Sequence, residues 1–284
     1  MLKRSHVRQF LAVVDSGSFT AAAARVRITQ PTLSVGIAEM EKTVGAKLFI
    51  RDRKHVRLTE AGARLLPIAR QLEQGFRAAE GINAPTREAW PQLRLGILRT
   101  LAPHMTQSVV ETLKSEVEPE LVEGSAHDLR TALAAGRIDA ALTLLRPEDP
   151  TQWALVTEPY VMLAPSNHRL AGQSNVPPED LASEVMIARR ACERLQDTSR
   201  FFTHSGVRPR FALRSDNDAL CLAMVESGLG ITTAPLSLRT EDMGVIGISG
   251  YDFERTLGWV ASPHAPQPER WNQLLPRLVE ALPR

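Results

Sequence analysis

Three short helical stretches in the first 45 residues, each marked off by a cap or breaker, limit the fold more than anything downstream. Val7, Phe10, Leu11 and Val14 fall at i, i+3, i+4 and i+7, one apolar face of a helix. Gly17 ends that helix, and Ser18 is placed to cap a second one through Ala21–Ala24, whose small residues allow close packing. Thr29 reads as the next N-cap, with Pro31 in the first turn, where its missing N–H costs little. Leu33, Ile37, Met40 and Glu41 follow on the third helix, which stops near Val44-Gly45. Lys47–Ile50 and Val56–Leu58 then flank the polar tip Arg51-Asp52-Arg53-Lys54-His55 as a hairpin. Three helices and a basic hairpin make a winged helix-turn-helix, whose third helix would enter a major groove. The helical pattern alone also fits a plain three-helix bundle.

Charge separates these readings. The chain as a whole is +2, but residues 1–66 hold 12 Lys and Arg against 5 Asp and Glu, leaving +7 on the head and −5 on the remainder. A basic head on an acidic body points to a polyanionic partner for the head, and with the basic hairpin tip that partner is DNA.

Thr59 opens a longer helix in which Leu65, Ala69, Leu72, Phe76 and Ala79 repeat at alternating steps of four and three. The seam predicts a partner helix, and so a dimer; packing on the head is the alternative. Pro67 inside this helix should kink it or remove one hydrogen bond. Residues 81–91 read as a linker from their Pro and Gly content.

Beyond the linker, strands and helices alternate. Strands are expected at Leu93–Leu98, Glu120–Glu123, Ile138–Leu142, Tyr160–Pro165, Val185–Ala188, Arg210–Arg214, Ile231–Ala234 and Leu257–Ala261. Helices are expected at Pro103–Val117, Asp128–Ala135, Glu193–Ser205, Asn217–Ser227 and Glu269–Leu282. This is an α/β body of βα units, which favours a ligand cleft at the carboxyl ends of its strands.

Other classes find little support. Two cysteines, Cys192 and Cys221, argue against a secreted, disulfide-stapled chain. No run approaches the roughly 18 apolar residues of a membrane helix, and the N-terminus lacks the apolar stretch of a secretory signal. A cytoplasmic protein without membrane contact is expected. Ser125, His127 and Asp128 superficially suggest a catalytic triad, but Ser and Asp at a helix start serve as caps. No HExxH, paired CxxC or phosphate-binding glycine loop appears, so no catalytic residue, metal or cofactor is assigned.

The chain resembles the LysR-type transcriptional regulators over nearly its whole length. The resemblance is carried by Phe10–Ala23, by Thr29-Gln30-Pro31-Thr32-Leu33-Ser34, by Leu48-Phe49-Ile50-Arg51 and by Leu58-Thr59-Glu60-Ala61-Gly62. In the body it is looser: Gly124-Ser125, Gly136–Ala141, and Gly228-Leu229-Gly230-Ile231 followed by Pro235. It implies a winged helix-turn-helix over 1–58, a dimerising linker helix over 59–80 and a hinge over 81–91. It further implies a periplasmic-binding-protein-like effector domain over 92–284. Its first subdomain would comprise 92–161 and 265–284, its second 162–264. Such regulators bind operator DNA as dimers or tetramers, respond to a small effector in the inter-subdomain cleft, and meet RNA polymerase if they activate.

Carried over by position, Thr29, Gln30, Pro31, Thr32 and Ser34 stand where the family's recognition helix meets DNA. Gln30 suits an adenine edge, and Pro31 or the Thr32 methyl a thymine methyl. Ser18 and Thr20 suit phosphate; Arg51 matches the wing arginine, with Arg53 and Lys54 along backbone or minor groove. The dimer contacts would be Leu65, Ala69, Leu72 and Phe76. Val35-Gly36 departs from the family, which usually places a long polar or basic residue and then Gln there; Gly36 should cost the helix about 1 kcal/mol relative to Ala.

For the effector, the resemblance draws attention to Arg99, Thr100, Ser125, Arg146, Arg189 and Cys192. Arg99 and Arg146, with Arg189 or Arg190, would favour a carboxylate-bearing ligand. Cys192 lies where peroxide-sensing members keep a reactive cysteine, and Arg194 matches their arginine. Arg189, Arg190 and Arg194 should lower its thiol pKa. The sensors' second cysteine is absent, since that region reads Arg200-Phe201-Phe202. A thiol-based regulator is therefore the alternative. A thiol-dependent enzyme and a solute-binding protein are rivals from other classes.

Overall fold

The computed structural model describes residues 1–51, 56–80, 92–114, 117–146, 152–263 and 268–282. The chain forms two compact units, one of Met1–Leu98, Ser108–Trp153 and Trp259–Ala281, the other of Arg99–Gln107, Ala154–Gly258 and Leu282–Arg284.

The first unit begins with α1 (Arg4–Ser16), α2 (Phe19–Arg25) and α3 (Gln30–Val44). Gly17 closes α1 and Gly45 closes α3 in the left-handed conformation, at φ 63° and 78°, which explains why glycine stands at both ends. Ser18 and Thr29 cap α2 and α3, accepting from the backbone N–H of Ala21 and Thr32. The antiparallel pair β1 (Phe49–Arg51) and β2 (Val56–Leu58) forms the wing, with Phe49 opposite Leu58. Phe49 turns back into the core, where its ring lies 5.2 Å from Phe10 and 5.8 Å from Phe19. Phe10, Leu33, Ile37, Met40, Leu48 and Leu66 are completely buried in that core.

The helix α4 (Glu60–Glu80) runs unbroken through Pro67, giving up a backbone donor there. Gly62 explains how closely it approaches the wing. A Cβ at this position would collide with the Leu48 carbonyl and come within 2.9 Å of Leu58 Cδ2. The expected seam divides. Ala69 is fully buried in the head's own core and Leu65 packs against it, so this half is used within the chain. Leu72 and Phe76 stay 38% and 41% exposed.

The same unit continues with β3 (Gln92–Leu98), the part of α5 (Pro103–Leu113) from Ser108 on, β4 (Glu118–Gly124), α6 (Ala126–Ala134) and β5 (Ala140–Leu144). β4 and β5 both run parallel to β3, with Leu95 opposite Leu121 and Ala140, so helices make the crossovers. Two sequence motifs meet here through charge. Arg94 of β3 donates to Asp15 of α1 at 2.9 Å, while Asp139 accepts from the Arg94 backbone N–H at 2.9 Å and from Arg70 of α4 at 2.6 Å. Burial raises both carboxyls above their ordinary range, although Arg94 pulls each the other way.

In the second unit, β6 (Gln152–Pro165) is followed by β7 (Val185–Arg189), α7 (Leu195–His204), β8 (Arg210–Ser215) and α8 (Asp218–Glu226). Then come β9 (Thr232–Pro235), β10 (Met243–Ile246) and β11 (Glu254–Ala261), whose last residues from Trp259 belong to the first unit, as does the whole of α9 (Pro268–Ala281). β7 and β8 are parallel, whereas β9 and β10 both pair antiparallel with β6. The part of β6 before Tyr160 and the whole of β10 were not expected. β6 begins at Gln152, where half-exposed residues hide the period, and Met243-Gly244-Val245-Ile246 is too short to show one. α7 starts at Leu195, so Glu193 belongs to the preceding turn and not to the helix.

Candidate nucleic-acid interface and effector site

Along α3 the buried positions Leu33, Gly36, Ile37 and Met40 face the head core. This leaves Thr29, Gln30, Pro31 and Thr32 exposed and Ser34 half-exposed, all on the first turns. Their polar groups hold one another: Gln30 Nε2 donates to Ser34 Oγ at 3.0 Å, and the Thr29 and Thr32 hydroxyls lie 2.7 Å apart. Thr20 is exposed beside the Ser18 cap. Arg51 ends β1, while the tip with Arg53 and Lys54 lies outside the described residues.

The wing is fixed to α3 by Glu41. Its carboxylate accepts from Lys47 Nζ at 2.7 Å and from the Leu48 backbone N–H at 3.0 Å. Burial alone would raise this carboxyl; the hydrogen bonds from Lys47, Leu48 and Phe49 outweigh it and hold the group below its ordinary value.

The six candidate effector residues are divided between the two units. Ser125 and Arg146 belong to the first unit; Arg99, Thr100, Arg189 and Cys192 belong to the second. Ser125 caps α6, accepting from Asp128 N–H while the Asp128 carboxylate accepts from Ser125 N–H at 3.1 Å, so the apparent triad is a capping box. Arg99 and Arg146 are exposed. Arg189 is held inside the second unit. It is 2% exposed, its guanidinium is paired with Asp218, and Nη1 donates to the Thr233 carbonyl at 3.3 Å. That cation is already satisfied inside the fold.

For Cys192 the expected lowering of the thiol is corrected. Burial in the apolar core raises its thiol, and the neighbouring Arg189 only partly opposes this. Arg190 faces Asp216 at 3.9 Å and Arg194 faces Asp197 at 3.1 Å, so neither guanidinium is devoted to the sulfur. Cys221 is fully buried, as a core residue should be.

A polar cluster of the second unit was missed. Thr100 Oγ1 donates to a Glu193 carboxylate oxygen, and Tyr160 OH donates to the other at 2.8 Å. Arg255 Nη1 reaches Thr100 Oγ1 and Glu193 Oε1, each at 3.2 Å, and its Nε donates to Glu158 at 2.8 Å. Thr100, Tyr160 and Arg255 are 1%, 2% and 4% exposed. One signal was readable: Arg255 shares the strand phase of Leu257 and Trp259, an inward phase where an arginine must find partners.

Residues 5–63 match the family described as bacterial regulatory helix-turn-helix protein, lysR family, and residues 87–283 match the LysR substrate binding domain. The chain belongs to the LysR family of DNA-binding transcriptional regulators. A probable hydrogen peroxide-inducible genes activator of Mycobacterium leprae is 31% identical, over 81% of this chain and 77% of that protein. The transcriptional regulator MetR of Escherichia coli K12 is also 31% identical, over 83% and 75%. In fold the chain resembles full-length OxyR of Pseudomonas aeruginosa, with a TM-score of 0.61 at 22% identity over 98% of this chain and 95% of that one. No helix among the described residues is long and apolar enough to cross a membrane. Among them no group of His, Cys, Asp and Glu is suited to hold a metal.

Proposed function

We propose that this regulator reads operator DNA with Thr29, Gln30, Pro31, Thr32 and Ser34. Ser18 and Thr20 hold phosphate, and Arg51, Arg53 and Lys54 follow the backbone from the wing. The observation that carries this reading is the exposed polar first turn of α3 on a head of net charge +7. The head is taken as 1–58, the linker helix as 59–80, the hinge as 81–91 and the effector domain as 92–284. Leu72 and Phe76, exposed on α4, supply the apolar contact of a homodimer or homotetramer. A small effector in the effector domain switches operator binding or activation, the latter through RNA polymerase. The protein acts in the cytoplasm and catalyses no reaction.

The test is binding of the full chain to the promoter fragment beside its own gene. We expect retardation that weakens steeply with salt as phosphate contacts release counterions. Gln30→Ala should lower the preference for that fragment over a scrambled one by about 10-fold, since one bidentate base contact contributes roughly 1–3 kcal/mol. An unchanged ratio refutes the placement of α3 in the groove.

A further inference from the structure

One guanidinium in the second unit faces two carboxylates, and only one of them is needed to neutralise it. Glu158 accepts from Arg255 Nε at 2.8 Å, from the Ser237 backbone N–H at 2.7 Å and from Ser237 Oγ at 3.0 Å, and its side chain is 6% exposed. Arg255 and Glu158 therefore form a complete buried pair on neighbouring strands. Glu193 adds a second anion from the turn between β7 and α7. Its carboxylate is held by three further donors: the Thr100 hydroxyl, the Tyr160 phenol at 2.8 Å and Arg255 Nη1 at 3.2 Å. Arg255 Nη2 also donates to the Thr100 carbonyl at 3.2 Å, which aims the guanidinium at this point. Burial, reinforced by the adjacent Glu193 carboxylate, keeps the Tyr160 phenol protonated and so a donor.

A hydroxyl, a phenol and a guanidinium converging on two oxygens make a receptor for a carboxylate. The side chain that fills it is a surplus charge on a turn and remains 14% exposed, so it has a way out. We propose that Thr100, Tyr160 and Arg255 form a carboxylate-binding cup that Glu193 occupies from within. A small carboxylate effector acts by displacing Glu193 and releasing the Arg190–Arg194 turn. The proposal rests on the effector-regulated reading above and specifies its ligand class. It moves the anion-binding role from Arg189, which Asp218 already satisfies, to Arg255. Removing Glu193 leaves Arg255 paired with Glu158, so the cup can be vacated without stranding a buried cation.

The test uses the full chain as Glu193→Ala with acetate as the probe, against chloride and acetamide at equal concentration. Acetate should raise the melting temperature of Glu193→Ala saturably, by roughly 3 °C at ten times its dissociation constant. The wild type, already filled, should not respond beyond its response to chloride. Glu193→Gln keeps a neutral side chain of the same shape in place and should not respond, and Glu193→Ala with Arg255→Met should lose the effect. If Glu193→Ala does not fold alone, a refolding yield that rises in acetate and not in chloride reads the same occupancy. An acetate response of Glu193→Ala equal to that of wild type overturns the cup and leaves Glu193 a structural partner only.

Promoter binding measured in parallel separates the two readings. Removing Glu193 mimics its displacement, so a Glu193→Ala chain that takes up acetate yet binds the promoter with wild-type affinity, with and without acetate, overturns the displacement switch. Failure of the wild type to bind the promoter counts instead against the operator reading, whatever acetate does.

Discussion

Gly36→Ala tests how α3 is set against α1. A glycine inside a helix costs about 1 kcal/mol relative to alanine, because its unfolded backbone has more freedom to lose. Gly36 is buried, so the new methyl needs room. A Cβ there would overlap Gln9 Oε1 and lie 2.8 Å from Gln9 Cδ and 3.2 Å from Nε2, so the Gln9 amide must move. It is the far end of a flexible side chain, and its Oε1 is buried without a hydrogen-bond partner among the described residues. Displacing it sacrifices no hydrogen bond at that oxygen and gives the oxygen access to water. The net expectation is stabilisation approaching 1 kcal/mol, a rise of roughly 2–4 °C for a chain of this size. Urea denaturation of the full chain, followed by far-ultraviolet circular dichroism, gives the free energy directly. The double variant Gln9→Ala with Gly36→Ala removes the obstacle, so its gain over Gln9→Ala alone reads the backbone contribution by itself. A double variant no more stable than Gln9→Ala refutes the propensity argument. A destabilised single variant beside a stabilised double one locates the cost in Gln9.

Two further outcomes follow from shifted ionisations. The Glu41 carboxyl is held low in the folded head, so its contribution is fully present above the ordinary carboxylate pKa and disappears as pH falls through the folded value. Glu41→Gln should cost about 1.5–3 kcal/mol at pH 7, the range for hydrogen bonds to a charged group, and should flatten the acid limb of the stability curve; an unchanged limb refutes the role. The Cys192 thiol is raised, so alkylation of the native protein by iodoacetamide, followed by mass spectrometry, should be slower at neutral pH than that of glutathione. A reaction midpoint below that of glutathione restores the reactive-thiolate reading.

What the sequence determined is the set of features whose signal is local. Helix ends at Gly17, Ser18, Thr29 and Gly45 are written by backbone conformation and by side chains that bond their own neighbours, so their positions could be read before any packing was known. The charge contrast between head and body followed from residue counts, the βα alternation from hydrophobic pattern, and the family from the resemblance its motifs carry. The capping role of Ser125 was legible for the same reason.

The fate of each arginine and of the cysteine was not legible, because it depends on groups far apart in the chain. Arg189 looks like a ligand for an anion until Asp218, 29 residues on, takes its guanidinium. Cys192 looks activated by three nearby arginines, yet each has a carboxylate to face and burial dominates the thiol. Half of the α4 seam was spent for a similar reason: Ala69 lies on the seam's period, but it packs into the head core. The cup needed Thr100, Tyr160, Glu193 and Arg255 from four separate segments, and only tertiary structure converts such separations into 3 Å contacts. Periodicity tells which face of an element turns inward; which charges meet there is decided by packing, since a buried ion is tolerated only where a partner is held at hydrogen-bonding distance.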